Sequence, residues 1–210
     1  MIRLSKLDEP PILASNAATW TAEFAAGDDK RRYAHEDIRS ALRDETHHKC
    51  AYCESRMEHV TSGNVEHIIP KSVKPELVCD WNNLTLACPL CNSKKGTYYS
   101  VDCPLINPYV DNLDSHFRWI GPMLGAVTPD RGRVTVTRLD LNRGELLYKR
   151  MRVMESALDI LTSIAANPGP VGEALEEDLR SMILDDAEYA AAVRALVSRE
   201  RTVDANSVNL

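Results

Sequence analysis

Cys50-Ala51-Tyr52-Cys53 and, after 34 intervening residues, Cys88-Pro89-Leu90-Cys91 are the two stretches that decide how this chain folds. Each Cys-x2-Cys turn presents two sulfur ligands to one ion, and two such turns complete the tetrahedral four-sulfur shell that structural zinc prefers. The alternative is two unrelated buried cysteine pairs. A redox role is disfavoured, because no βαβ pattern surrounds either pair. The spacing therefore predicts a structural Zn²⁺ site held by Cys50, Cys53, Cys88 and Cys91.

Length and composition suit a folded domain that needs no disulfides. The 210 residues are 44% hydrophobic and 27% charged, enough for one large or two small domains. No apolar run approaches the ~20 residues of a membrane span, so no membrane association is expected. The first eleven residues lack the apolar stretch of a secretion signal, which favours a cytoplasmic location with reduced thiols.

The charge is distributed unevenly along the chain. The net charge is −6, but residues 1–152 carry 21 basic against 20 acidic side chains, whereas residues 153–193 carry one against nine. A balance of +1 over 152 residues is a weak anchor for a polyanion, since neutralisation of phosphates supplies most non-specific affinity. A partner chain is therefore expected to contribute to any grip on nucleic acid.

The spacer between the two cysteine motifs is longer than the ~15–20 residues of ordinary zinc ribbons. It contains Gly63-Asn64-Val65-Glu66-His67-Ile68-Ile69-Pro70-Lys71 and then Asp80-Trp81-Asn82-Asn83-Leu84-Thr85-Leu86, and Asn92-Ser93-Lys94-Lys95-Gly96 follows the last cysteine. A carboxylate, an imidazole and two amides thus fall inside a unit that one ion holds together.

Residues 50–96 resemble the zinc-bearing branch of the HNH, or ββα-metal, nuclease family, in which a two-stranded hairpin and a helix clasp one catalytic divalent cation. Two positions depart from the family pattern: the aspartate before the histidine is Glu66 here, and the final histidine is replaced by Asn92. The resemblance implies an α+β fold, with a small zinc-stapled ββα-metal core embedded in a mostly helical chain.

The residues of this core suit phosphodiester hydrolysis. His67, with an ordinary pKa near ~6.5, is suited to act as general base toward water. The resemblance implies that Glu66 and Asn92 hold a catalytic Mg²⁺ or Mn²⁺, for which oxygen ligands are appropriate, and that Asn83 holds the hairpin loop and orients His67 through a backbone hydrogen bond. The candidates for phosphate contacts are Lys71, Lys94 and Lys95.

Each of these assignments has a plainer alternative. His67 can be a zinc ligand or a core histidine, and Asn83 a turn residue. Asn92 can be a helix cap, and the three lysines solvated surface.

The rest of the chain is predicted to be mainly helical. The boundaries we expect are an N-terminal helical segment (1–48), the nuclease core (49–100), an irregular region with short strands and a long helix (101–166) and an acidic helical tail (167–210). The predicted helices start after Asn16 and near Arg31 and span 142–166, 171–184 and 187–201; residues 134–137 are the clearest strand. The tail is interpreted as a solvated hairpin, with a docking surface as the alternative.

Three stretches extend the resemblance to about residues 1–150: 106–109, 115–119 and 138–143, the last followed by Leu146 and Arg150. With residues 65–71 they resemble the PtuB-like HNH subunits of Septu-type and retron-associated anti-phage systems. That resemblance implies a DNA-cutting effector working beside an SMC/ABC-type ATPase of the PtuA kind. The alternatives are a free-standing restriction-like HNH nuclease and a non-catalytic zinc-knuckle interaction module. The sequence leaves open the strandedness of the target, its base specificity, and whether it is DNA or RNA.

Overall fold

A computed structural model describes residues 1–127 and 130–207 of the chain. The helices in this part are α1 (Pro11–Ala25), α2 (Glu36–Glu45), α3 (Pro89–Lys95), α4 (Arg131–Arg138), α5 (Gly144–Ala166), α6 (Pro170–Ile183) and α7 (Ala190–Ser207). The strands are β1 (Asn64–His67), β2 (Leu84–Ala87), β3 (Phe117–Ile120) and β4 (Met123–Ala126), paired as two antiparallel hairpins. This mixture of helices with small sheets confirms the predicted α+β class.

Strands β1 and β2 and helix α3 form the unit that carries the candidate site. β1 runs antiparallel to β2 with Glu66 opposite Thr85, and every residue of β2 is buried. Cys88 follows β2 directly and caps α3, because its sulfur accepts a hydrogen bond from the Cys91 amide. Pro89 stands at the first helical position, where its fixed φ favours the helix and its missing N–H costs nothing. The second cysteine motif is therefore also the start of the helix.

Helices α1 and α2 cover the hairpin with apolar side chains. Leu13 of α1 and Ile38 and Leu42 of α2 are completely buried, and they share one core with Leu84 and Leu86 of β2. The spacing of four residues between Ile38 and Leu42 places both on one face of α2. The site is thus built on strands that the main core fixes from behind.

The three C-terminal helices pack against each other around a second apolar cluster. Ala157 of α5, Leu179 of α6 and Val193 of α7 are all almost inaccessible. The long helix α5 ends at Ala166, before the Asn-Pro-Gly-Pro sequence at 167–170, as the sequence predicted. None of the helices in the described ranges is long and apolar enough to cross a bilayer.

The tail is also joined to the first cysteine motif by side-chain contacts of Lys49 and Ser55. The buried ammonium of Lys49 donates to the carbonyl oxygens of Asp185 (2.5 Å) and Ala187 (2.7 Å). The hydroxyls of Ser55 and Tyr189 are 3.0 Å apart. Because these contacts link positions more than 130 residues apart, the tail braces the zinc-binding half of the molecule.

The strand predicted at residues 134–137 is wrong, because this segment lies inside helix α4. Its alternating β-branched residues favour a strand locally, but tertiary contacts override that preference. The hydroxyl of Thr135 accepts the amide hydrogen bond of Ile106, and Gly132 packs so closely on the carbonyl of His116 that a Cβ would lie 2.6 Å from its oxygen. The strands of this region are β3 and β4 instead.

The N-terminal helices begin at different residues from those predicted. α1 starts at Pro11 and not after Asn16, whose side chain donates to the carbonyl of Ile12 inside the helix. The helix expected from Arg31 starts at Glu36, because Arg31 adopts a left-handed conformation and His35 accepts a hydrogen bond from the amide of Asp37 as the cap. A proline in the first turn or a histidine N-cap indicates a helix start less clearly than Ser, Thr, Asp or Asn at the N-cap does.

Candidate active site

The four predicted cysteines meet in one buried cluster. Their sulfur atoms all lie within 4.8 Å of one another, and Cys53 and Cys88 are 3.9 Å apart. Zn–S bonds of about 2.3 Å in a tetrahedron place sulfurs roughly 3.8 Å apart. No disulfide joins the described cysteines. The spacing, the burial and the soft sulfur donors all fit a structural Zn²⁺, as the sequence predicted.

Helix α5 brings two arginines to this cluster. Nη1 of Arg143 lies 3.7 Å from the sulfur of Cys91. Burial lowers the pKa of Arg143, but the neighbouring Cys91 and Cys53 raise it by more, so the pKa lies above its ordinary value. Arg150, almost completely buried, lies near Cys53 and donates to the carbonyl oxygen of Leu141. A zinc ion with four thiolates carries a net charge of −2, which these two nearby cations partly offset.

His67 lies at the end of β1 with its ring held in one orientation. Nε2 donates to the carbonyl oxygen of Val78 at 3.0 Å. The ring packs in a T-shaped arrangement against the ring of Tyr33, with the two ring centroids 4.6 Å apart. Because a carbonyl can only accept, Nε2 carries the proton and Nδ1 is the nitrogen with a free lone pair. Burial is the main cause that lowers the pKa of His67 to about 4. The imidazole is therefore neutral near pH 7.

Asn83 ties the long loop of the hairpin together. Its Oδ1 accepts from the amide of Ile69 at 2.8 Å, and its Nδ2 donates to the carbonyl oxygens of Ile69 (3.0 Å) and Leu77 (3.2 Å). Leu77 precedes Val78, whose carbonyl oxygen accepts the hydrogen bond from Nε2 of His67. The amide thus contacts the loop and reaches the histidine through the loop backbone, since no hydrogen bond joins Asn83 to His67 in the described part of the chain.

One cleft of about 250 Å³ collects the other predicted groups. Glu66, His67, Asn92, Lys71 and Lys95 all line it. Asn92 is half-buried in the middle of α3, where Cys88 is the N-cap and Gly96 the C-cap. The interpretation of Asn92 as a helix cap is therefore excluded.

The three lysines occupy three different environments. Lys95 is buried, with Nζ 2.5 Å from Oε1 of Glu66 and bonded to the carbonyl oxygen of His67 at 2.7 Å. Lys71 lines the cleft, and its Nζ lies 2.6 Å from Oδ2 of Asp29. The same Nζ is 4.9 Å from the ring centroids of both Phe24 and Tyr33.

Lys94 is exposed, pairs with Asp140 and does not line the cleft. Of the three predicted lysines, Lys71 and Lys95 line the cleft, and their role as phosphate contacts stays a prediction.

Other residues line the cleft without any signal in the sequence. These are Arg31, Tyr33, Ser72 and Thr97. Tyr33 and Arg31 come from the turn before α2, more than 30 residues from His67, and no spacing or motif links them to the nuclease core.

The carboxylate of Glu66 fits a hard divalent cation. It is 5% exposed, and burial raises its pKa while the nearby ammonium of Lys95 opposes that shift. Oε1 is buried and, among the described residues, has no hydrogen-bond donor in proper geometry, although Nζ of Lys95 is close. With the amide of Asn92 in the same cleft, two protein oxygens are available, and Mg²⁺ or Mn²⁺ ordinarily retains several waters beside so few ligands.

Comparison with known proteins points to the same segment. Residues 50–97 match the HNH endonuclease family, which confirms the resemblance noted in the sequence. The chain is similar to Septu protein PtuB of Bacillus thuringiensis, with 33% identity over 78% of this chain and 64% of the relative. It is also similar to Septu protein PtuB of Bacillus mycoides (strain KBAB4), with 26% identity over 58% of this chain and 52% of the relative. The matched regions span less than two thirds of either relative.

Proposed function

Because the chain carries an HNH endonuclease domain at residues 50–97, we propose that it is a metal-dependent nuclease that hydrolyses phosphodiester bonds of nucleic acid. The observation that carries this proposal is the juxtaposition in one cleft of a neutral imidazole, a buried carboxylate and an amide. These groups suit hydrolysis of a phosphodiester, since they offer a general base and two oxygen ligands for a divalent cation. A zinc-knuckle module that only binds a partner has no need of them.

His67 is the proposed general base. A water molecule in the cleft gives one proton to Nδ1 as its oxygen bonds to phosphorus. The bond from phosphorus to the leaving sugar oxygen breaks, and that oxygen takes a proton from solvent water. The carbonyl oxygen of Val78 accepts from Nε2 and stabilises the positive charge that then develops on the ring. Tyr33 and the loop tied by Asn83 keep that ring from turning.

Glu66 and Asn92 are the proposed protein ligands of a catalytic Mg²⁺ or Mn²⁺. When bound, such an ion supplies positive charge to the scissile phosphate and the departing oxygen. Lys95 holds the carboxylate of Glu66 and the backbone of His67 in place, so we assign it a positioning role. Lys71 and Arg31 line the cleft and are the proposed phosphate contacts.

We further propose that the substrate is DNA and that the protein acts in a Septu-like anti-phage system with a PtuA-like ATPase of the SMC/ABC type. The similarity to Septu protein PtuB of two Bacillus species supports the role in defence. The net charge of −6 supports the need for a partner in binding a polyanion.

Plasmid nicking tests the catalytic assignment. Zinc-loaded protein is incubated with Mg²⁺ or Mn²⁺ and supercoiled plasmid, alone and with a PtuA-like ATPase. We expect His67→Ala to abolish nicking without loss of zinc, while His59→Ala, an exposed histidine outside the cleft, cuts like the unaltered chain. Equal cutting by His67→Ala and the unaltered chain removes His67 from the mechanism. A folded chain that cuts under neither condition favours the non-catalytic module.

A further inference from the structure

An apolar groove of about 310 Å³ adjoins the candidate cleft and has no part in the hydrolysis described above. Two short segments contribute to both recesses. In the first, residues 65–67 line the cleft and residues 68–69 line the groove. In the second, residues 95–97 line the cleft and residues 98–100 line the groove. Lys95 lines both. The groove and the cleft are therefore neighbouring recesses that share one lining residue.

The groove offers flat and apolar surface to whatever enters it. Tyr98 and Tyr99 line it, and its rim carries Val101 and Val110, which are 78% and 70% exposed. Large apolar side chains that cluster in contact with water at a recess commonly mark a binding site. The hydroxyl of Tyr98 donates to the carbonyl oxygen of Cys103, which fixes this ring at the groove.

Helix α4 adds positive charge along the same groove. Arg131 lines the groove and is held by Asp111. Arg138 is seven residues further along, hence on the same face of the helix, and its guanidinium lies 4.6 Å from the ring of Tyr98. Arg138 is exposed and has no carboxylate within 4.0 Å in the described part of the chain. The guanidinium of Arg138 thus lies beside the groove, over the ring of Tyr98, which lines it.

We propose that this groove binds one unstacked base of the nucleic-acid strand that is cut, with a neighbouring phosphate at Arg138. The inference rests on the proposed nuclease function and narrows its substrate to single-stranded or locally unpaired nucleic acid. Three observations select a base as the occupant: the groove continues from the cleft, its wall is aromatic, and the adjacent cation complements a phosphate. Base stacking on aromatic side chains is the usual mode of recognising unpaired strands.

Binding of two oligonucleotides with equal charge tests the groove. The full-length His67→Ala variant, loaded with zinc, is titrated with fluorescein-labelled oligothymidylate and with an abasic oligonucleotide of the same length, and anisotropy is recorded. We expect about tenfold tighter binding of the oligothymidylate. Adding Tyr99→Ala removes this preference, whereas Tyr148→Ala, an exposed tyrosine on α5, leaves it intact.

Two further variants test the base contact and the phosphate contact separately. Both change exposed side chains, so the fold is expected to survive. Val101→Ser alters a side chain that is 78% exposed, so the fold is preserved while the preference for bases decreases. Arg138→Gln weakens binding of both oligonucleotides. It also reduces the slope of the logarithm of the binding constant against the logarithm of salt concentration by about one. Arg133→Gln, on the other side of the same helix, does so less.

Equal affinity for the two oligonucleotides, or a preference that survives both Tyr99→Ala and Val101→Ser, overturns the proposal. So does binding of a duplex of the same length as tightly as the single strand. No binding to any of these probes also overturns it, and plasmid nicking by the unaltered chain then decides independently whether the nuclease function stands.

Discussion

Nζ of Lys95 lies 2.5 Å from Oε1 of Glu66 and donates to the carbonyl oxygen of His67, so one buried ammonium holds both residues of the proposed Glu-His pair. Lys95 comes from the last turn of α3 and the pair from β1. The contacts of Lys95 therefore fix the position of α3 relative to β1. A site formed between a hairpin and a helix depends on that position.

Lys95→Met leaves the buried carboxylate of Glu66 without its cation. Removing one partner of a buried pair costs about 3–5 kcal/mol, so we expect a clearly lower thermal midpoint in the absence of divalent cations. Added Mn²⁺ should restore more stability to this variant than to the unaltered chain, because the ion supplies the missing charge at Glu66. Lys94→Met, which removes an exposed pair with Asp140, should have little effect. Equal midpoints for both variants contradict the positioning role.

Cys88→Ser removes one sulfur from the four-cysteine cluster and the cap of α3. We expect zinc content to fall well below one equivalent and the cooperative thermal transition to be lost or strongly lowered, since binding of a structural metal contributes to folding. Cys103→Ser, a half-exposed cysteine outside the cluster, is the matched control and should keep its zinc. Metal analysis and thermal denaturation measure both. An intact transition in Cys88→Ser disproves the structural role of zinc.

Arg143→Gln removes the cation next to the sulfur of Cys91. Groups around a metal centre typically tune metal affinity by about 10–100-fold, and we expect faster transfer of zinc to a colorimetric chelator with little change in fold. Arg152→Gln, further along α5, removes an exposed arginine paired with Glu155 and should release zinc at the unaltered rate. Identical release rates for both variants would show that Arg143 does not act on the metal centre.

Asn83→Ala deletes three hydrogen bonds that tie the loop before β2. We expect slower nicking and a changed NMR signal of the His67 ring, because the carbonyl of Val78 is no longer held in place. Asn82→Ala replaces the exposed neighbour and should change neither. Slower nicking with an unaltered ring signal is evidence against an effect through His67.

Lys49→Met tests the attachment of the tail to the first cysteine motif. The change leaves the carbonyls of Asp185 and Ala187 without their donor, at a cost of about 1–3 kcal/mol. We expect a lower unfolding midpoint in denaturant with zinc retained in the folded state. Lys149→Met, an exposed lysine on α5, serves as the control. Unchanged stability of Lys49→Met would mean that the tail does not brace this region.

Several structural features follow directly from local patterns in the chain. The spacing of the four cysteines predicted the buried sulfur cluster, because each Cys-x2-Cys turn brings two ligands together by itself. The period of apolar residues and the Asn-Pro-Gly-Pro stop predicted α5 and its end at Ala166. The roles of Glu66, His67 and Asn92 stay predictions, although all three line one cleft.

Other features depend on contacts between distant residues, and these were predicted wrongly or missed. Residues 134–137 look like a strand but form a helix, since Gly132 packs on the backbone of His116 and Thr135 bonds to Ile106. Tyr33 reaches His67 only through the packing of the turn before α2.

By itself, the sequence determined the four-cysteine cluster and the extent of α5, because metal-binding turns and helix periodicity are properties of neighbouring residues. Only the tertiary structure decided which lysine is buried against Glu66, which lies at the cleft and which is exposed. Burial is a property of the whole chain packed together, and the electrostatic environment of each charge follows from it.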